Sequence, residues 1–483
     1  MRRKAADLEK VQNGGEFMDS VTLQRIEKEL AAWSGSAMRR KQLDGKRYYE
    51  GRHDILSRKR EAIGVDGQPT EITNLPNNRI VDNQFKKLVD QKTNYLLGKP
   101  FVIDSDDKTY VKLLKNVFGK RFRKLLRKAG REAMLCGICW LFPYYDNMGR
   151  FSFKVFSGSD VYPDWLDDEH TQVQRAVRIY QKKVFEKGST TPKFIDKAEI
   201  YDTEGIWTYV WESGSLKPDP DCPHISYTVL DGKAYNWERV PLIPIKYNDD
   251  ETPLLNHVRC LQDGINLMLS DFENNMQEDA RNTIIVLKNF DGENLGEFRR
   301  NLATYGAIKV RNDNDARGGV DTLAITVNAE NYKTVLDLLK KAIIENGKGF
   351  DAKSDRLGAN PNQMNIQSMY SDIDLDANGM EVELQAAFDD LLWFVDCHFS
   401  HIRGANFFDE PADIIFNRDI LINESQVIAD IKNSVGILSK KTLVSQHPYV
   451  DDIEEELKRI KEEEQEEMTE YQPFSNNNNQ KGE

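Results

Sequence analysis

The sequence predicts an α+β fold built from several packed units, and three observations carry that expectation. Long stretches place apolar residues at helical spacing, the middle of the chain shifts to short alternating and β-branched runs, and 483 residues exceed the ~250 to 300 that one core usually holds. Hydrophobic residues make up 39% and charged residues 30%, with a mean hydropathy of -0.62, and no apolar run approaches the ~20 residues that span a bilayer. No membrane partner is expected. The opening MRRKAADLEKVQNGGE is basic and lacks the apolar stretch of a secretory signal, so a cytosolic origin is expected. Five cysteines, odd and sparse, offer no disulfide framework and should be free thiols.

Residues 1–39 read as an N-terminal extension. In VKLLKNVFGKRFRKLLRKAGREAML the apolar positions Leu114, Phe118, Phe122, Leu125 and Ala129 share one helix face, closing a helical unit before residue 135. From 151 to 250 the runs FSFKVF, AVRIYQKKVF, EIYDTEGIWTYVWES and ISYTVLDG, parted by Gly, Pro and Asp turns, predict a strand-rich domain. Pro241, Pro244 and NDDET close it. A helix over 253–283 then carries Leu254, Val258, Leu261, Ile265, Met268, Phe272 and Met276 in a coiled-coil-like stripe, ~45 Å long at 1.5 Å per residue. The strand runs TIIVLKNF, AIKVRN and LAITV make a small island. A second helix, 331–346, returns with Tyr332, Val335, Leu336, Leu339 and Ile343 on one face. Residues 348–379 show no sustained period and are rich in Asn, Gln, Ser and Asp, the pattern of a loop that is either functional or disordered. A third long helix places Met380, Leu384, Phe388, Leu391, Val395 and Phe399 in register. The strand ADIIFN, a helical end over 423–468 and a disordered tail complete the chain.

The formal net charge of -13 argues against a protein that simply coats DNA, since phosphate neutralisation needs surplus Lys and Arg. The charge is nonetheless uneven. Residues 108–131 hold ten bases and no acid, whereas 451–470 hold eleven acids against three bases; each run alone reads first as a solvated helix face. No GxxxxGK[ST] loop, GxGxxG turn, GxSxG elbow or HExxH pair occurs, so no catalytic residue, cofactor or enzymatic activity is expected. Cys136 and Cys139 form a single CxxC, with Cys222 and His224 as the other donors of that type, and structural zinc needs four ligands. Two thiols at an apolar helix end are the plainer reading. His398 and His401 sit among aromatic residues and read as core or interface histidines. Asp372, Asp374, Asp376 and Glu383 match positions of a calcium loop, but Ala377 stands where that loop needs Gly, so no metal is expected.

One stretch carries a family resemblance: NRIVDNQFKKLVDQKTNYLLGKPFVID, 78–104, resembles the helix-to-strand signature of siphophage portal proteins. GSDVYPDW, RVPLIPIKYNDD, LQDGINLMLSDFENNMQEDARNTIIVLKN and GILSKKTLVSQHPYVDDIEEELKRI are similar to later family segments in the same order, so the likeness covers about 40–468. The resemblance implies a portal fold. Its wing would be 40–252 with a return strand at 405–418, its stem helices 253–283 and 331–349, and its clip 284–330. A tunnel loop at 350–373, a tunnel helix at 374–404 and a helical crown at 419–470 would follow, before a disordered 471–483. It also implies a homo-oligomeric ring, typically dodecameric, at one capsid vertex of the virion, assembled in the host cytoplasm. The ring would conduct double-stranded DNA in packaging and ejection and would meet major capsid or scaffolding protein, terminase and later head-completion connector proteins. Relatives often carry a Ser-Gly-x-Ala segment before the tunnel helix, whereas this chain has NPNQMNIQSMYSDIDLDANGM.

On that footing Asn360, Asn362, Gln363, Met364, Asn365 and Gln367 are the candidate channel residues, because uncharged polar side chains touch phosphates without holding them. Arg299, Arg300, Lys309, Arg311 and Arg317 are the candidate partner-docking bases of the clip. Two alternatives stay open: a structural capsid or adaptor protein without a channel, and a metal-dependent nucleic-acid enzyme using Asp160, Asp164, Asp167 and Asp168.

Overall fold

The computed structural model describes residues 18–63, 67–73, 75–185, 190–230, 233–279, 283–288, 294, 296, 310, 311, 319–324, 329–351, 363–418, 424–445, 447, 449, 450 and 453–470. The chain divides into two compact units, Met1–Gly349 with Asp372–Arg418, and Phe350–Ser371 with Asp419–Glu483.

The first unit starts with α1 (Ser20–Ser34), capped by Asp19, whose carboxylate accepts from the backbone N–H groups of Val21 and Thr22 at 2.9 Å. Ile26 and Leu30 are buried with Val177, Ile200 and Trp207 of a large sheet. Part of the expected N-terminal extension is therefore core, because Leu23, Ile26, Leu30 and Trp33 form an apolar stripe that needs a partner. Then come α2 (Ala37–Tyr49), the hairpin β1–β2 (Glu61–Ile63, Pro69–Glu71), α3 (Gln84–Leu97) and β3 (Val102–Asp104). The basic stretch is two helices rather than one, α4 (Lys108–Val117) and α5 (Lys120–Cys136), broken at Phe118 and at Gly119, a poor helix former. Leu114, Phe118, Phe122 and Ala129 are buried as their spacing predicts, but Leu126, not Leu125, completes the buried face.

Gly137, at φ 81°, turns the chain from α5 into β4 (Ile138–Tyr145); a Cβ there would lie 1.7 Å from the Glu251 carbonyl oxygen. Next are β5 (Phe151–Ser157), β6 (Val161–Trp165), β7 (Val173–Phe185), β8 (Pro192–Asp202), β9 (Gly205–Glu212), β10 (Ser215–Pro218), β11 (His224–Ile225), β12 (Thr228–Leu230), β13 (Lys233–Tyr235) and β14 (Ile243–Lys246). They form an antiparallel six-stranded sheet, β10-β9-β8-β7-β6 with β11 on β9, a three-stranded sheet, β14-β4-β5, and the β12–β13 hairpin. The strand-rich domain is as the alternation predicts.

Helix α6 (Leu255–Asp279) follows, then β15 (Thr283–Lys288), antiparallel to β16 (Gly319–Ala324), and α7 (Ala329–Asn346). α7 runs back along α6, with the Phe272 and Tyr332 rings 5.1 Å apart. The second island strand thus begins upstream of the LAITV run. The next helix, α8 (Gln363–Arg403), is 41 residues long and buries Met380, Leu384, Phe388, Leu391, Val395 and Phe399 as expected. It starts well before residue 374, so 363–373 are helical rather than loop. The reason is a stripe hidden among the polar residues: Ile366, Tyr370, Ile373 and Ala377 are all buried at steps of four and three. β17 (Asp413–Ile415) returns to pair with β3, Ile414 opposite Ile103. In the second unit lie α9 (Glu424–Asn433), α10 (Lys440–Ser445) and α11 (Ile453–Glu470), with Lys440 paired to Glu464 and the Phe350 and Tyr370 rings stacked at 4.2 Å.

Candidate subunit and nucleic-acid interfaces

Helix α6 is built around a polar row as much as around its apolar stripe. Gln262, Asn266, Ser270 and Asn274, four residues apart, are buried to 3% exposure or less. Their side-chain oxygens accept from the backbone N–H groups of Phe85, Asp82, Ile80 and Asn78 at 2.9, 3.0, 2.9 and 2.7 Å. Four helical residues rise ~6.0 Å, close to the ~6.6 Å of two extended residues, so one helix edge serves as the sheet partner that 78–85 lacks. His53 joins the row. Its Nδ1 accepts from Asn266 at 2.8 Å and its Nε2–H donates to the Tyr48 carbonyl at 2.9 Å, which fixes the neutral tautomer; burial lowers its pKa. Beside it Arg259 bridges Asp44 and Asp54 at 2.7 and 2.9 Å, while the buried Tyr48 hydroxyl, with one proton to give, lies 2.7 Å from Asp263 and 2.9 Å from Asp54. The start of α6 is thereby fixed to α2 and α3.

The inner side of α8 is held just as firmly. Lys92, 2% exposed, pairs with Asp376 at 2.6 Å, and the Tyr247 hydroxyl donates to the same carboxylate at 3.0 Å. Burial lowers the Lys92 pKa against the pull of Asp376. Tyr95 donates to Asp374 at 2.9 Å and Tyr110 to Asp396 at 2.8 Å; burial pushes Asp396 up to about 6. A pocket of about 330 Å³ is lined by Asp249, Asp250, His257, Lys348, Asp376 and Glu383 among others. Burial, reinforced by a hydrogen bond to Asp249, raises Glu383 to about 7. On the outer side of α8, Leu375 and Val382 are 67% and 62% exposed; Leu338 on α7 and Met276 on α6 are 62% and 51% exposed. These helices therefore leave apolar surface uncovered among the described residues, and the α6 stripe is fully buried only at Leu254, Val258 and Ile265.

Among the candidate channel residues, Gln363, Met364, Asn365 and Gln367 lie in the first turns of α8, a correction to their expected loop; Met364 is 78% exposed and Gln367 exposed. Asn360 and Asn362 fall outside the described residues, as do Arg299, Arg300, Lys309 and Arg317. Arg311 is exposed. The expected calcium-loop carboxylates Asp372, Asp374, Asp376 and Glu383 sit on a continuous helix, and Asp374 and Asp376 are engaged as above. Cys139 is a β4 strand residue rather than part of a helix end, because Gly137 terminates α5; its thiol donates to the Ala129 carbonyl at 3.1 Å. His398 stacks on Phe151 and meets the Tyr145 hydroxyl at 3.0 Å, an aromatic core position as expected. Asp164 pairs with Arg175 at 2.6 Å, Asp160 accepts from Ser159 at 2.9 Å, and Asp167 caps its own turn through Thr171 and Gln172. No three His, Cys, Asp or Glu side chains among the described residues are grouped to hold a metal, and no described helix is long and apolar enough to cross a membrane.

The polar row was missed because Gln, Asn and Ser four apart look like a solvated helix face. Its partners, the backbone N–H groups of 78–85, lie far away in sequence and leave no side-chain pattern.

Comparison with known proteins gives one consistent answer. The family described as phage portal protein, SPP1 Gp6-like, matches residues 34–470. The portal protein of Bacillus phage SPP1 is 29% identical over 447 residues, covering 90% of this chain and 85% of its own. The portal protein of Clostridium phage phiCD119 is 25% identical over 449 residues, covering 91% and 96%.

Proposed function

The chain belongs to the SPP1 Gp6-like family of phage portal proteins, and from that premise we propose how its segments divide the work of a portal. Proteins of this family are structural components of the virion, forming an oligomeric ring that joins capsid and DNA and conducts the genome in packaging and ejection. The ring proposed here is a dodecamer at one capsid vertex, closed by head-to-tail contacts between identical subunits. The observation that carries this reading is the apolar surface left on α6, α7 and α8, at Met276, Leu338, Leu375 and Val382, with α6 and α8 locked on another side by buried polar bonds. A rigid helix with an unpartnered apolar face suits a seam between subunits.

In this reading residues 40–252 with 405–418 are the wing, α6 and α7 the stem, and 284–330 the clip that meets terminase and later the connector proteins. Arg299, Arg300, Lys309, Arg311 and Arg317 guide those partners. Major capsid or scaffolding protein contacts the ring at its vertex, and 419–470 form the crown. The channel segment shortens to 350–362, with Asn360 and Asn362 facing DNA and Met364 and Gln367 at its junction with α8. Deleting 355–362, upstream of α8, is expected to leave rings intact and abolish DNA packaging in an in vitro packaging assay. Loss of ring assembly in that variant would make the segment structural and remove it from the channel.

A further inference from the structure

The basic stretch that sequence alone reads as a solvated face has properties that such a face does not need. On α4 the exposed Lys108, Lys112 and Lys115 recur at steps of four and three, opposite the buried Tyr110, Leu113 and Leu114. On α5 the exposed Lys120, Lys124 and Lys128 recur at steps of four, joined by Arg121 and Arg127 and opposite the buried Phe122, Leu126 and Ala129. Solvated helix faces usually interleave both signs. Here residues 108–131 contain no acid, and among the described residues Lys112, Lys115, Lys120, Arg121, Lys124 and Lys128 take part in no ion pair. This happens in a chain whose net charge is -13, so the positive charge is local to this face.

We propose that the α4–α5 face is a second nucleic-acid contact surface, separate from the channel segment, which binds the phosphate backbone of double-stranded DNA without reading sequence. Three features favour DNA over an acidic protein. Protein interfaces are built on aromatic and apolar anchors and are depleted in Lys, yet no large apolar side chain between Val102 and Met148 is among the exposed ones. The cations repeat about once per ~5.4 Å turn along their helices, a pitch that meets the evenly charged duplex, one phosphate charge per ~1.7 Å of axis, at any register. No exposed aromatic side chain that would stack on bases lies on either helix, and Asn116 is the one exposed amide between Lys108 and Arg131. Few contacts and no base readout give weak, salt-sensitive, mobile binding, which suits DNA that must keep moving.

The test uses the assembled full-length protein and a covalently closed duplex minicircle, which cannot thread a closed ring, so any binding lies outside the channel. Four phosphate contacts predict a slope near −3.6 in log affinity against log salt, roughly a hundred-fold loss between 50 and 200 mM. The variant Lys112→Gln, Lys115→Gln, Lys120→Gln, Lys124→Gln removes four exposed charges and is expected to keep ring assembly and its melting transition. Its affinity for the circle should fall at least ten-fold, with a slope shallower by about 0.9 for each lost contact. Binding of linear duplex but not of the circle would overturn the proposal while leaving the channel reading intact. An unchanged slope in the variant would also overturn it, as would undiminished circle binding with lost attachment to an acidic protein partner.

Discussion

Replacing Asn266 by Leu tests whether the polar row of α6 holds the segment 78–85. The substitution keeps the number of side-chain heavy atoms and raises helix propensity, but it removes the acceptor for the Asp82 N–H, the donor to His53 Nδ1 and a contact from Gln262. Two buried groups, the Asp82 amide and the imidazole nitrogen, are then left without partners. Each such group costs ~1–3 kcal/mol, so the variant should lose ~2–6 kcal/mol of local stability. At ~1.4 kcal/mol per ten-fold, amide exchange at Asp82 should accelerate by at least ~30-fold. Ile80 and Asn78, held by Ser270 and Asn274, should follow to a lesser degree, because neighbouring rungs fix the same strand. Hydrogen–deuterium exchange resolved to residues 78–85 reads this directly. Unchanged protection at Asp82 in the Leu variant would refute the idea that the row, rather than apolar packing, positions this segment.

Two further outcomes follow from the geometry of α8 and a third from the turn between α5 and β4. Lys92→Met strands the largely buried Asp376 carboxylate and should cost ~3–5 kcal/mol in urea unfolding, near the low end because Tyr247 and Lys348 stay close. Adding Asp376→Leu should recover most of that loss, and a double variant no more stable than Lys92→Met would contradict the pairing. Glu383 has an ordinary value of 4.5 and is raised to about 7 in the fold, so between those pH values the native state binds a proton that the unfolded state does not. Stability should therefore fall as pH rises through that window, and Glu383→Gln should flatten the dependence and gain on the wild type at pH 8; parallel profiles would show that the carboxyl pair is not the source. Gly137→Ala should prevent soluble expression or sharply lower the melting temperature, since its Cβ would overlap the Glu251 carbonyl; a melting temperature within a degree of wild type would show the turn to be adaptable.

The helix stripes were legible where apolar residues dominate, as from Met380 to Phe399, and the strand-rich domain was legible from alternation. Three things were not. Strand β4 contains Pro143, which normally excludes a strand interior, but β14 pairs only with 138–141, so the ring falls where one side of β4 has no neighbour. The start of α8 was hidden because Asn, Gln and Ser suggest a loop, although Ile366, Tyr370, Ile373 and Ala377 already carried the helical period. The buried row of α6 was hidden because its partners are backbone N–H groups distant in sequence, and no side-chain pattern reports those. The candidate bases were readable as charge, but only the three-dimensional accounting of ion pairs separates the unpaired α4–α5 face from ordinary paired surface, such as Arg47 with Asp44 and Asp54.

By the proposed function, this chain closes into a ring around a DNA-sized channel through the exposed apolar faces of its long helices. Electron cryo-microscopy of the purified protein at micromolar concentration tests it most directly, with Leu375→Asp, Val382→Asp as the paired variant. Closed rings with an axial channel, Leu375 and Val382 buried between neighbours, and monomers from the variant are the predicted result. A monodisperse monomer from the wild type, or rings in which both residues remain exposed, would contradict it.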